Sequence, residues 1–199
     1  MARKEKLTVK FNACRENGGY TMTTGATTKT GSKIAVKDLV IAALCIALTL
    51  VATAFINIRL PLAGNGGLIH LGNVPLFLAA IIFGRKIGFL AGAFGMGMFD
   101  LISGWTAWAP FTFIIVGLMG YTVGVISEKM RAKPYLGNLL AIIVALIIKI
   151  VGYYFAEVIL FHNWVAPLGS IPGNILQIAV AGIIVLPIAE TIRKAVNRM

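Results

Sequence analysis

Apolar residues in this chain run in long blocks with few or no charges, with neither the two-residue alternation of a half-buried strand nor the narrow stripe of a soluble amphipathic helix. The first block, residues 40–58, is uncharged throughout. At about 1.5 Å rise per residue it nearly crosses a hydrocarbon core of about 30 Å. Further blocks follow at residues 68–83, 87–102, 109–126, 139–161 and 173–192. The pattern predicts an all-α integral membrane bundle of six transmembrane helices. Between the first two blocks, RLPLAGNGG holds Pro61, Gly64, Gly66 and Gly67, which cannot continue a helix and predict an outer loop. The second and third blocks are short, and Gly84, Gly88, Gly92, Gly95 and Gly97 predict backbones packed closely against their neighbours. Residues 1–32 are polar and lack an apolar run of signal-peptide length, so they are expected to form a disordered leader before a membrane domain at 33–199. Met22 offers a second possible translation start.

Composition agrees: 58% of residues are hydrophobic, only 13% are charged, and mean hydropathy is +0.88. A typical soluble domain carries roughly 25% charged residues. The net charge of +11 raises the question of nucleic acid, and the positions of the basic residues answer it. They cluster before residue 40, at Arg85 and Lys86, at Lys129, Arg131 and Lys133, and at Arg193, Lys194 and Arg198, leaving Arg59 and Lys149 apart. Every second connection is therefore basic, the signature of cytoplasmic loops, with both termini on that side of a plasma membrane and no nucleic-acid partner expected.

An ionisable side chain inside an apolar block costs several kcal/mol to dehydrate unless it finds a partner or a wet cavity. Block five holds Lys149 and Glu157, and with Tyr153 they stand at i, i+4 and i+8 on one helix face. That stripe reads as one wall of a substrate pocket; the alternative is structural pairing with polar groups on other helices. Asn174 and Gln177, at the outer start of block six, carry amides suited to orienting a polar ligand, with helix capping as the alternative for Asn174. His70 and Asn73, in IHLGN, lie where the outer loop enters block two, and Asp100 ends block three. A lone histidine is more often structural than a ligand contact, and Asp100 is equally suited to latch onto Arg59. Trp105 and Trp108 fit a headgroup-level aromatic belt. Cys14 and Cys45 have no Cys-x-x-Cys spacing, and there is no zinc, nucleophile-elbow or phosphate-loop motif. The chain is expected to bind something, without a metal or cofactor of its own, and to draw its energy from elsewhere. Ala43 and Ala47 form a small-xxx-small pair on the first helix, which Ala54 continues.

In this order the features resemble the substrate-binding S components of energy-coupling factor (ECF) vitamin transporters, from about residue 37 to the C-terminus. The resemblance rests on Ala43-x-x-x-Ala47, GGLIHLGNVPLFLAAIIFG, GFLAGAFGMGMFDLISGWTAWAP and GYYFAE; the polar leader lies outside it. It implies a six-helix subunit holding a water-soluble vitamin near the outer face, beneath the loop between spans one and two. It also implies a transmembrane T component and two ATPase subunits as partners, ATP being used by those subunits. Ala43 and Ala47 would meet the T component, and a smooth face there would suit toppling of the subunit in the bilayer. The IHLGN segment and the span-three glycines resemble most the branch handling hydroxymethylpyrimidine or pyridoxine-like rings. Trp108 and Tyr153 would stack on such a ring while Glu157, Asn174 and Gln177 hydrogen-bond to it. Riboflavin and pantothenate are the alternatives, and anionic pantothenate would give Lys149 an obvious role. Outside transport, an intramembrane enzyme would need a nucleophile with a base or a metal cluster, and the Lys149–Tyr153–Glu157 stripe argues against a purely structural subunit.

Overall fold

A computed structural model of the chain describes residues 10–16, 19–25, 36–55, 57–59, 68–196 and 198. The chain divides into two compact units, Met1–Ala35 and Val36–Met199. Where a disordered leader is expected, the first unit carries an antiparallel hairpin of β1 (Lys10–Glu16) and β2 (Gly19–Gly25), with Lys10 opposite Gly25 and Glu16 opposite Gly19. The two runs contain Phe11, Tyr20, Thr21, Thr23 and Thr24, which suit a pleated strand, and Asn17-Gly18 between them is a strong short-range hairpin signal.

Among its described residues the second unit has six helices: α1 (Val36–Phe55), α2 (Asn73–Phe83), α3 (Arg85–Ile102), α4 (Ala109–Lys129), α5 (Pro134–Phe161) and α6 (Ile171–Val196). A short hairpin of β3 (Asn57–Arg59) and β4 (Leu68–His70) lies between α1 and α2, and a 3₁₀ turn, Ala166–Ser170, leads into α6. Among the described residues four segments are long and apolar enough to cross a membrane: α1, α4, α5 and Ala166–Val196. The shorter α2 has 11 residues, and α3, with 18, includes Arg85, Lys86 and Asp100.

The second span begins later than its hydropathy predicts. Leu68–His70 pairs with Asn57–Arg59 as a strand, so the helix opens only at Asn73. Conversely, α5 begins at Pro134, whose fixed φ suits a first helical turn, and not at residue 139. The Arg59 side chain lies outside the described residues, and so does its suggested latch to Asp100.

A single residue, Gly84, joins α2 to α3 at φ +87°, a conformation that side chains rarely adopt. The Arg85 backbone N–H donates to Glu128 Oε1 at 3.1 Å, tying this turn to the end of α4. Further along the same pair of helices a Cβ at Gly88 would lie 2.6 Å from the Gly120 carbonyl oxygen, and one at Gly92 would lie 2.5 Å from that of Val116. The glycines thus let the backbones of α3 and α4 touch, as their clustering predicts. Leu76, Phe77, Met96, Val116, Met119 and Ile178 fill the core. Leu39, Leu44, Leu48, Ile114, Ile143, Ile147 and Ile183 face outward. A soluble monomer rarely exposes contiguous apolar surface of this kind, whereas lipid requires it.

Short connections make successive helices antiparallel and give the bundle two different ends. One end, here the hairpin end, gathers β3–β4, the α3–α4 connection and the 3₁₀ turn. The other, the basic end, gathers Arg85 and Lys86, Lys129 to Lys133, and Arg193 and Lys194.

Candidate functional site

A face of α5 presents Lys149 and Glu157 to the interior, 3% and 8% exposed, with half-buried Tyr153 between them. The helical spacing of four residues stacks them, and neighbouring helices supply the partners. Lys149 Nζ donates to Gln177 Oε1 on α6 at 2.5 Å and lies 5.7 Å from the Tyr153 ring centroid, within cation–π range. The same Gln177 oxygen accepts from Asn73 Nδ2, at the start of α2, at 3.2 Å. Three helices thus converge on one amide oxygen.

Asp100, at the end of α3, lies within electrostatic reach of the lysine and of the Thr112 hydroxyl of α4. Thr112 Oγ1 also lies 3.0 Å from the Tyr153 hydroxyl. Burying an ammonium group is tolerable only with such an arrangement of opposite charge and hydrogen bonds. One turn nearer the hairpin end, Glu157 Oε2 accepts from the Ser170 hydroxyl of the 3₁₀ turn at 2.7 Å.

His70 ends β4 with its ring partly covered and its Nδ1 atom fully buried. A Cβ at Gly72 would lie 3.1 Å from that nitrogen and 3.0 Å from Met96 Cε, so the ring packs beside the turn that starts α2. Burial, with the Lys149 charge as a second cause, presses the His70 pKa down to about 3, and the imidazole is neutral at physiological pH. His70 Nδ1 and Asn73 Oδ1 are the buried side-chain polar atoms without a hydrogen-bond partner among the described residues.

The structure therefore brings Lys149, Tyr153, Gln177 and Asn73 into one network, with Asp100 joined to it, Glu157 adjacent along α5 and His70 three residues before Asn73. Two residues singled out with them stand apart. Asn174 is half-buried on the first turn of α6, and its side chain makes no hydrogen bond among the described residues. Trp108 belongs to an aromatic group, edge-on to Trp105 at 5.2 Å and tilted against Phe161 at 5.7 Å, which joins the start of α4 to the end of α5. Ala43 and Ala47 lie exposed on α1, away from the polar network, beside Leu44 and Leu48. No group of three or more potential metal ligands occurs among the described residues.

Sequence inspection misses Thr112 and Ser170, whose hydroxyls carry no periodic signal. It also misses a second buried network, at the basic end. Ser127 Oγ donates to Asn138 Oδ1 at 2.8 Å, Asn138 Nδ2 donates to Glu190 Oε1 at 3.1 Å, and Arg193 donates to Glu190 Oε2 at 2.7 Å. Glu190 was detectable, because it falls inside block six as Glu157 falls inside block five.

Comparison with known proteins bears on what this cluster is for. A family model described as the S component of an ECF-type riboflavin transporter matches residues 33–194. An uncharacterized protein of Pyrococcus woesei is 31% identical over 131 residues, covering 64% of this chain and 83% of its own. The thiamine precursor transporter HmpT of Lactococcus lactis subsp. cremoris is 26% identical over 159 residues, covering 80% of this chain and 89% of its own.

Proposed function

Because this chain belongs to the S-component family of ECF-type riboflavin transporters, we propose that it is the membrane subunit that captures a water-soluble vitamin or vitamin precursor for ATP-driven uptake. In this reading all six helices cross the membrane, both termini are cytoplasmic, and the hairpin end faces outward. The observation that carries the reading is the Asn73–Gln177–Lys149 network inside an otherwise apolar bundle, bordered by Asp100, Thr112 and Tyr153. A membrane interior keeps such groups where a polar molecule or ion must be held. The favoured ligand is hydroxymethylpyrimidine or a pyridoxine-like ring, a choice supported by the similarity to the thiamine precursor transporter. Riboflavin is the second reading, favoured by the description of the matching family model.

ATP hydrolysis belongs, in this proposal, to two ATPase subunits reached through a transmembrane T component, with no cofactor in this chain. The exposed Ala43 and Ala47 are the proposed contact with the T component, since small residues allow close helix approach.

Mass spectrometry of small molecules that co-purify with the intact protein, followed by titration with hydroxymethylpyrimidine, pyridoxine, riboflavin and pantothenate, tests the reading. One vitamin-class ligand is expected to bind; failure of all four overturns it. Lys149→Met and Glu157→Gln are each expected to weaken binding by about 1–3 kcal/mol, the effect of leaving a buried polar partner unpaired. Wild-type affinity in both variants would remove those residues from the pocket. Ala43→Glu or Ala47→Glu should preserve ligand binding but prevent co-purification with the T component.

A further inference from the structure

We propose, building on the binding-subunit reading, that the hairpin-end site selects an uncharged ligand by requiring it to donate a hydrogen bond to Asn73 Oδ1. The orientation of that oxygen follows from its neighbours. A lysine ammonium has three donors and no acceptor, so the Gln177 atom it meets at 2.5 Å is the amide oxygen. That oxygen also faces the Asn73 amide at 3.2 Å, and two facing oxygens would repel, so Asn73 turns its NH₂ group toward Gln177. The Asn73 oxygen must then point away from Gln177. Asn73 is 0% exposed, and this oxygen accepts no hydrogen bond among the described residues. A buried acceptor left unpaired is among the more unfavourable features a folded protein carries, and a ligand N–H or O–H would relieve it. The other such atom, His70 Nδ1, comes from the same short stretch where β4 passes into α2.

The charge balance sets the second half of the selection. Lys149 is engaged by Gln177 and the Tyr153 ring, and Asp100 opposes its charge. A carboxylate entering beside it would add a second negative charge to a buried site where Asp100 already interacts with that cation. Anionic pantothenate is thereby disfavoured although a buried lysine is present. A site built to receive a donor also discriminates strongly against an isostere that lacks it, because the protein atom is left unpaired.

The test uses the purified full-length protein and pairs of ligands that differ only in a donor. The pairs are 4-amino-5-hydroxymethyl-2-methylpyrimidine against its 4-methyl and 5-methoxymethyl analogues, pyridoxine against its O-methyl ethers, and riboflavin against 3-methylriboflavin. For the neutral ligand that binds tightest, removing one donor is expected to weaken binding at least about tenfold, and that same removal should change affinity less than about threefold in Asn73→Leu. Pantothenate should bind at least about tenfold more weakly than that ligand. Equal affinity for donor and donor-less members, a penalty that persists in Asn73→Leu, or tightest binding of pantothenate overturns the proposal while leaving the binding-subunit reading intact. Absence of binding by every compound overturns both. Should Asn73→Leu fail to fold, the donor series on the wild-type protein decides alone.

Discussion

The two buried polar networks use nearly the same parts and leave them in different states. At the basic end, Ser127, Asn138, Glu190 and Arg193 form a chain across α4, α5 and α6 in which every buried side-chain nitrogen and oxygen has a partner among the described residues. At the hairpin end, Asn73, Gln177 and Lys149 link α2, α6 and α5, yet Asn73 Oδ1 and the nearby His70 Nδ1 have no partner among the described residues. Both networks contain an asparagine amide and an opposed pair of charges. The difference indicates what each is for. Lipid supplies no hydrophobic force between helices, so a closed polar chain holds register and orientation, each such contact contributing roughly 0.6 kcal/mol and up to about 1.7. An open one keeps hydrogen-bonding capacity in reserve for something that arrives from outside the chain.

The division can be broken first at the basic end, where the largest effect is expected. Glu190→Ala removes the acceptor shared by Asn138 and Arg193 and leaves a cation, 14% exposed in its side chain, without its counter-charge. The expected loss of stability is about 3 kcal/mol, read as a lowered unfolding midpoint in detergent, with ligand affinity unchanged within about threefold. Lys149→Met should give the reverse weighting, with the affinity loss of about 1–3 kcal/mol already described dominating its phenotype. If Glu190→Ala instead abolished binding while leaving the unfolding midpoint in place, the assignment of scaffold and site to opposite ends would be wrong.

What sequence could and could not deliver follows the same line. Helices whose boundaries depend on length and hydropathy, such as α4 and α6, lie close to the blocks read from the chain, because dehydrating a charge is the dominant energy in lipid. The glycines of α3 were also legible, since only small residues permit the approach of Gly88 to Gly120. The start of α2 was not, because Leu68–His70 is as apolar as a helix and its strand pairing depends on Asn57–Arg59, eleven residues earlier along the chain by register. For the site, the Lys149–Tyr153–Glu157 stripe and Gln177 could be identified from charge and spacing. That Asn73 and Lys149 share one oxygen is a three-helix property, and no local pattern encodes it. Thr112 and Ser170 were invisible for the same reason: a single hydroxyl in an apolar run gains meaning only from the Tyr153 or Glu157 opposite it.

The smallest expected effect sharpens the comparison at the open end. His70 titrates near 3 in the folded protein, against an ordinary value near 6.5. Between those two values the unfolded chain binds a proton that folded His70 refuses, so stability must fall as pH drops through that window, while above 6.5 the residue contributes nothing to the pH dependence. From pH 6.5 to 5.5 the loss amounts to about 1 kcal/mol, and it should appear as a lower unfolding midpoint at pH 5.5. His70→Gln, which keeps a polar side chain without the titrating ring, should flatten that part of the profile. An unaltered slope in His70→Gln would show that the ring is not held desolvated beside Lys149. One of the two unpaired atoms that distinguish the open network from the closed one would then be removed.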